Sequence, residues 1–190
     1  SQNMKSTIAI SAVIFTVGVV MLPVVWGDSD FNWREIGEHK HRSTDVSVIV
    51  DPVYKEECGA CHMVYPPGLL PARSWHKVMS ELDNHFGDNA EVDVGAYRSI
   101  TEFLSANNAD ESSYRRSAKF NGSIRADDAP VRITDTPYFR HKHDDVPDRL
   151  VSGNPKVKSF SQCNACHAKA EQGSFDEHDI RIPGYGMWDE

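Results

Sequence analysis

The stretches Cys58-Gly59-Ala60-Cys61-His62 and Cys163-Asn164-Ala165-Cys166-His167 are two copies of one pattern, Cys-x-x-Cys-His, and together they hold all four cysteines of the 190-residue chain. On a helical turn, two thiols at this spacing reach the two vinyl groups of one haem and form thioethers. The adjoining His then meets the iron from one face. Three other uses of paired cysteines compete with this one: a four-cysteine zinc site, two thioredoxin-like redox pairs and two structural disulfides. A zinc ribbon separates its pairs by about 15–20 residues and needs no His after each pair. Here the pairs lie roughly a hundred residues apart. A thioredoxin-like pair expects a βαβ surrounding, and no such pattern is visible. One signature, used twice and consuming every Cys, therefore predicts two haem c groups, with Cys58, Cys61, Cys163 and Cys166 as attachment points and His62 and His167 as iron ligands.

The composition fits a small carrier. With 20 basic against 28 acidic side chains, 39% apolar residues and a mean hydropathy of -0.49, the chain bounds the answer to one modest domain or two very small ones. A large enzyme is excluded, and nucleic acid is not among the expected partners of so acidic a chain. The apolar residues are concentrated at the front, where Ser6 to Gly27 contains no charged side chain. What remains is too polar to build a sizeable core from side chains alone, and covalently held haem would supply the missing apolar bulk.

At about 1.5 Å per residue, residues 6–27 are long enough to cross the roughly 30 Å hydrocarbon core of a bilayer. A secretory signal has a shorter apolar region, although Val25-Trp26-Gly27 offers a small residue where cleavage would occur. The expectation is that residues 1–27 form an uncleaved N-terminal transmembrane anchor. Lys5 precedes the span while Asp28 and Asp30 follow it, which places the N-terminus inside and residues 28–190 outside. Trp26 and Trp33 suit the outer interface.

Beyond the anchor, the pattern is mostly α with extensive loops. Asp51-Pro52 reads as an N-cap and first helical residue, starting a helix that runs into the first motif, and Tyr65-Pro66-Pro67-Gly68 stops it. Trp75, Val78, Met79, Leu82 and Phe86 recur at helical spacing and predict a helix over 72–86, with Gly87 just past its end. A third helix is predicted over 94–106. Residues 109–131 lose all periodicity and read as a surface loop between a haem 1 half, about 51–108, and a haem 2 half, about 130–190. Thr136-Pro137 opens a short helix through His143. Asn154-Pro155 opens the last, which carries the second motif and stops near Gly173. Val46 to Val50 reads as a short extended segment.

The sixth coordination site decides what each haem can do: Met raises the potential, a second His lowers it, and an empty site permits ligand chemistry. On the helix after the first motif, His85 lies nearer the apolar stripe than His76, and Met79 nearer still, although a Met at that spacing is more often core. Before the second motif, Phe139, His143 and Val146 share a face that His141 does not. His85 and His143 are the favoured distal ligands, with His76, His141, Met79 and Met187 as alternatives. The spacings mirror each other, since His85 follows His62 by 23 residues and His143 precedes His167 by 24. His39, His41 and His178 lie in polar stretches and read as solvated side chains.

The chain also resembles a known family. Around the two motifs stand Pro67-Gly68-Leu69-Leu70-Pro71, Ser74-Trp75, His85-Phe86-Gly87-Asp88-Asn89-Ala90, Arg132-Ile133-Thr134-Asp135-Thr136-Pro137, His143 and Ile182-Pro183. This set is similar to the bacterial dihaem cytochrome c family. The resemblance implies an exported bis-histidine electron carrier with His85 and His143 as distal ligands. It also implies partners: a membrane b-type cytochrome or another quinol-oxidising donor, and a c-type acceptor. Read with the anchor, the expected function is relay of single electrons on the periplasmic side of the bacterial inner membrane. Two other readings stand beside it: a fixed subunit of a membrane redox complex, and a haem enzyme of peroxidase or nitrogen-oxide type.

Overall fold

In the computed structural model, which describes residues 44–188, Asp51 caps the first helix by accepting from the Tyr54 N–H at 2.7 Å. That helix, α1 (Pro52–Cys58), begins with Pro where no donor is needed and delivers Cys58 at its end. Its one buried side chain, Tyr54, meets Phe103 of α3 (Val94–Asn107) with ring centres 5.2 Å apart. Asp93 starts α3 by accepting from the N–H groups of Gly95 and Ala96, and Ala96, Ile100 and Leu104 form its buried stripe at i, i+4, i+8. Between them α2 (Ala72–Ser80) buries Ser74, Trp75 and Met79. Both α1 and α2 pack on α3.

A second group of elements joins this one through the turn Pro67–Leu69, whose Pro67 carbonyl accepts from the buried Trp75 indole at 2.8 Å. Helix α4 (Arg115–Ser123) packs on that turn and on α5 (Pro137–Lys142), which Thr136 caps through the Phe139 N–H. The second motif forms a single turn, α6 (Cys163–Cys166), set against a hairpin of two-residue strands, β1 (Arg181–Ile182) and β2 (Gly186–Met187). One hydrophobic cluster, with Leu70, Trp75, Ile100, Leu104, Phe120 and Phe139 among its members, runs through both groups.

The structure corrects three sequence expectations. The helix read over 72–86 ends at Ser80 and tightens into a 3₁₀ turn, Leu82–Asn84, because Glu81 leaves the helical region at φ -121°, ψ 27°. Residues 109–131 contain α4, a helix whose only buried side chains are Ser117 and Phe120; one small polar and one aromatic residue leave no visible period. The helix read from Asn154 through the second motif is a run of turns. Lys158 takes a positive φ of 69°, so regular structure is confined to α6 and a 3₁₀ turn at Ala170–Gln172.

The extended reading of 46–50 also takes a different form. Val46 is fully buried but donates its N–H to the Gly173 carbonyl instead of joining a strand. Gly173 sits at φ 75°, and a Cβ there would lie 2.6 Å from the Val46 carbonyl oxygen, so glycine is needed twice over. The anchor expected at residues 1–27 lies outside the described residues. Among the described residues, no helix is long and apolar enough to cross a membrane.

Gly68 sits at a close junction between the two groups, since a Cβ there would meet the buried Ser117 hydroxyl of α4 at 2.5 Å. Gly68→Ala should destabilise the holoprotein by about 1–3 kcal/mol, an overpacking cost read as a lower thermal midpoint. Adding Ser117→Ala removes the clashing oxygen, which has no hydrogen-bond partner of its own, and should restore most of the loss.

Candidate haem centres

At the first centre α1 ends on Cys58, and the chain turns through Gly59 so that Cys61 is exposed and His62 half-buried. The His62 Nδ1 donates to the Met63 carbonyl at 2.7 Å, and the ring lies against Tyr65 with centres 4.9 Å apart. His85 comes to the same place on the 3₁₀ turn after α2. It is fixed by a tight reversal in which its N–H donates to the Asp88 carbonyl at 2.7 Å and its carbonyl accepts from the Asp88 N–H at 3.2 Å. The two central residues, Phe86 at φ 59° and Gly87 at φ 107°, are both left-handed, as a type I′ turn requires. Phe86 is costly there, and the Arg132 guanidinium covers its ring at 3.8 Å. The imidazoles of His62 and His85 face each other with centres 6.4 Å apart and planes 25° apart.

At the second centre α6 presents Cys163, Cys166 and His167. Backbone pairing of His167 with Ile180 steadies that turn against β1. His143 caps the end of α5, donates Nδ1 to the Phe139 carbonyl at 2.9 Å and stacks on the Phe139 ring at 4.0 Å. Its ring centre lies 6.2 Å from that of His167, with the planes crossed at 74°. The remaining candidates are elsewhere. His76 is exposed beside Ser105, His141 is exposed beside Asp144, Met79 is core, and Met187 is 54% exposed. His178 is exposed and pairs with Asp176, while His39 and His41 lie outside the described residues.

Burial favours the neutral form of two of these histidines and three of the cysteines. Burial, reinforced by His143 and Arg116, pushes His167 down to about 4, and burial likewise lowers His85. Neutral imidazole is the form that binds a metal, and an Nδ1 anchored on a backbone carbonyl leaves Nε2 as the ligand atom. Burial drives the free thiols of Cys58 and Cys163 up to about 11 and raises Cys166. A redox-active or zinc-binding pair needs the opposite, an easily formed thiolate. None of the four is in a disulfide, and among the described residues no three His, Cys, Asp or Glu side chains gather as a bare-metal site.

The cavity beside the second motif carries its own test of fit. Phe139, Val146, Val157, Phe160 and Ile182 give it apolar walls. Three buried nitrogens among its lining residues, Nδ1 of His167, Nε of Arg116 and Nε1 of Trp188, have no hydrogen-bond partner in the protein. Apolar walls with orphaned donors suit a flat apolar macrocycle carrying carboxylates. Arg116 was not legible in the sequence because α4 was hidden. It is held by Asp45 at 3.2 Å and by the Phe175 carbonyl at 3.1 Å.

Residues 54–175 match the family described as dihaem cytochrome c. The chain belongs to the dihaem cytochrome c family. Three solved structures agree. The diheme cytochrome type c of Shewanella baltica OS155 is 43% identical with a TM-score of 0.61, covering 73% of this chain and 97% of its own. The diheme cytochrome c of Rhodobacter sphaeroides is also 43% identical, with a TM-score of 0.60, covering 67% and 98%. A second structure of the Rhodobacter sphaeroides protein is 42% identical with a TM-score of 0.55, covering 68% and 100%. No curated protein matches the chain. As a dihaem cytochrome c it has a mostly helical fold and carries two c-type haems.

If each motif holds one haem, the two attachments are separable. A Cys58→Ala, Cys61→Ala double variant should retain one covalent haem after denaturation, and so should Cys163→Ala, Cys166→Ala, each read as a mass deficit of one haem against the wild type.

Proposed function

We propose that this dihaem cytochrome c carries single electrons, each iron being held between two imidazoles: His62 and His85 at the first centre, His167 and His143 at the second. The supporting observation is the ring-to-ring spacing of 6.4 and 6.2 Å. Two imidazoles that share one metal ion, each with a nitrogen about 2 Å from it, place their centres roughly 6 Å apart. Haem supplies reversible one-electron chemistry, and a second His ligand sets it at low potential. The protein's part is to hold neutral rings in place. Backbone carbonyls fix the tautomers of His62 and His143, the 85–88 reversal carries His85, and Phe175 packs beside the His167 ring. Irons held by these two histidine pairs would leave no place for a substrate to bind, and the haems would supply outer-sphere electron transfer.

The same proposal places the chain by its ends and charge. Residues 1–27 would anchor it in the bacterial inner membrane with the haem domain in the periplasm. Electrons would arrive from a membrane b-type cytochrome or another quinol-oxidising donor and leave to a c-type cytochrome. The formal net charge of -8 favours a basic docking patch on at least one partner and salt-sensitive association.

Electron paramagnetic resonance of the oxidised holoprotein tests the ligand assignment. Two low-spin signals are expected, a more rhombic one from the near-parallel rings of the first centre and a more anisotropic one from the crossed rings of the second. His85→Met should change only the former and His143→Met only the latter. A high-spin signal, or carbon monoxide binding by the reduced protein, would sink the carrier reading in favour of an enzyme. The anchor has its own test: in a cell fraction the protein should stay with membranes through a high-salt wash and leave only with detergent, and release by salt alone would refute it.

A further inference from the structure

Tyr65 touches both centres. Its ring lies 4.9 Å from that of His62, centre to centre, inclined at 30°. Its hydroxyl donates at 2.8 Å to the carbonyl of Ser161, a residue 96 positions further along the chain. That same carbonyl oxygen lies 3.8 Å from the Sγ of Cys163. The Tyr65 backbone is fixed in turn, because its carbonyl accepts at 2.8 Å from the hydroxyl of Tyr54 in α1, the helix that ends on Cys58. One half-buried side chain thus packs on a ligand of one motif and hydrogen-bonds to the segment that carries the other.

We propose that Tyr65 is a positioning residue shared by the two haem centres: its ring sets the plane of His62, and its hydroxyl raises the reduction potential of the second haem by capping the Ser161 carbonyl beside Cys163. The proposal rests on the two-centre, bis-histidine reading given above. The sign follows from charge. An oxidised haem carries one more positive charge than a reduced one, so a bare carbonyl oxygen nearby stabilises the oxidised form and lowers the potential. A phenol hydrogen on that oxygen offsets part of its negative charge and favours reduction. No electron or proton leaves Tyr65 in either state.

The test uses the full-length holoprotein, with potentials read in a spectroscopic redox titration and assigned to each centre through the His85→Met and His143→Met signals. Tyr65→Phe keeps the ring on His62 and deletes the hydroxyl. It should leave the first-centre resonance signal unchanged and lower the second haem's reduction equilibrium at least threefold, about 28 mV at 59 mV per tenfold for a one-electron couple. Tyr65→Leu should also alter the first-centre signal. Ser74→Ala removes a buried hydroxyl that has no hydrogen-bond partner and should leave the second haem's potential in place. An unshifted second potential in Tyr65→Phe, or an equal shift in Ser74→Ala, overturns the proposal. Should Tyr65→Phe fail to hold two haems, 3-fluorotyrosine in place of tyrosine is the second probe. Its more acidic phenol donates more strongly and should raise the second haem's potential, and no rise overturns the proposal. Loss of both low-spin signals in the wild type would instead refute the bis-histidine reading, a failure visible before any variant is made.

Discussion

The pairs His62–His85 and His143–His167 lie ring to ring with centres 6.4 and 6.2 Å apart, each joining a Cys-x-x-Cys-His histidine to one outside the motif. An imidazole in the open would rotate and titrate, so each is tied down differently. His62 and His143 hold backbone carbonyls through Nδ1, and His143 is also clamped flat against Phe139. His85 rides on a reversal whose left-handed Phe86 is tolerated under the Arg132 guanidinium. The His167 ring packs beside Phe175. Short helices suffice for this task, because each need only deliver one residue to one place.

The two centres differ in their surroundings. At the first, Cys61 is exposed and Phe86, next to His85, is 46% exposed. At the second, an apolar cavity with orphaned donors flanks the motif, and His167 is depressed to about 4 mainly by burial. Burial, hydrogen bonding and solvent access are the levers that set a haem's potential. On the proposed ligation, two identical ligand sets in such different environments would not titrate together. Separated potentials would give an electron a preferred seat within the chain, and Tyr65 lies between the two centres.

How much of this was legible in the sequence follows from which interactions are local. Thioether attachment needs its residues within one turn, so the motifs were fully visible. Asp51-Pro52 and Thr136-Pro137 are also local signals, and α1 and α5 begin where these place them. His85 was singled out on a helical wheel, yet the helix ends at Ser80 and a 3₁₀ turn brings the ring round. The residue stood out for a periodicity that does not extend to it. Helix α4 was invisible because its packing depends on Ser117 fitting against Gly68, a complementarity between segments that no window of sequence contains. Arg116 and the role of Tyr65 were missed for the same reason, since their partners Asp45, Phe175 and Ser161 are distant in the chain.

The polarity of the chain suggested that haem would have to stand in for a core. The structure divides the work differently. Leu70, Ile100 and Leu104 are at most 2% exposed, and with Trp75, Met79 and Phe120 they form a core built from side chains alone. His62 lies against Tyr65 and His167 against Phe175, two side chains that flank that cluster, and of the four motif cysteines Cys58 packs against it. Phe139 alone belongs to the core and also stacks on a proposed ligand, His143, so it is the point at which core packing bears on ligand geometry. The core and the candidate haem centres thus adjoin at Cys58 and Phe139. Because α1 and α5 contribute Tyr54 and Phe139 to that core, its packing also sets where Cys58 and His143 are presented.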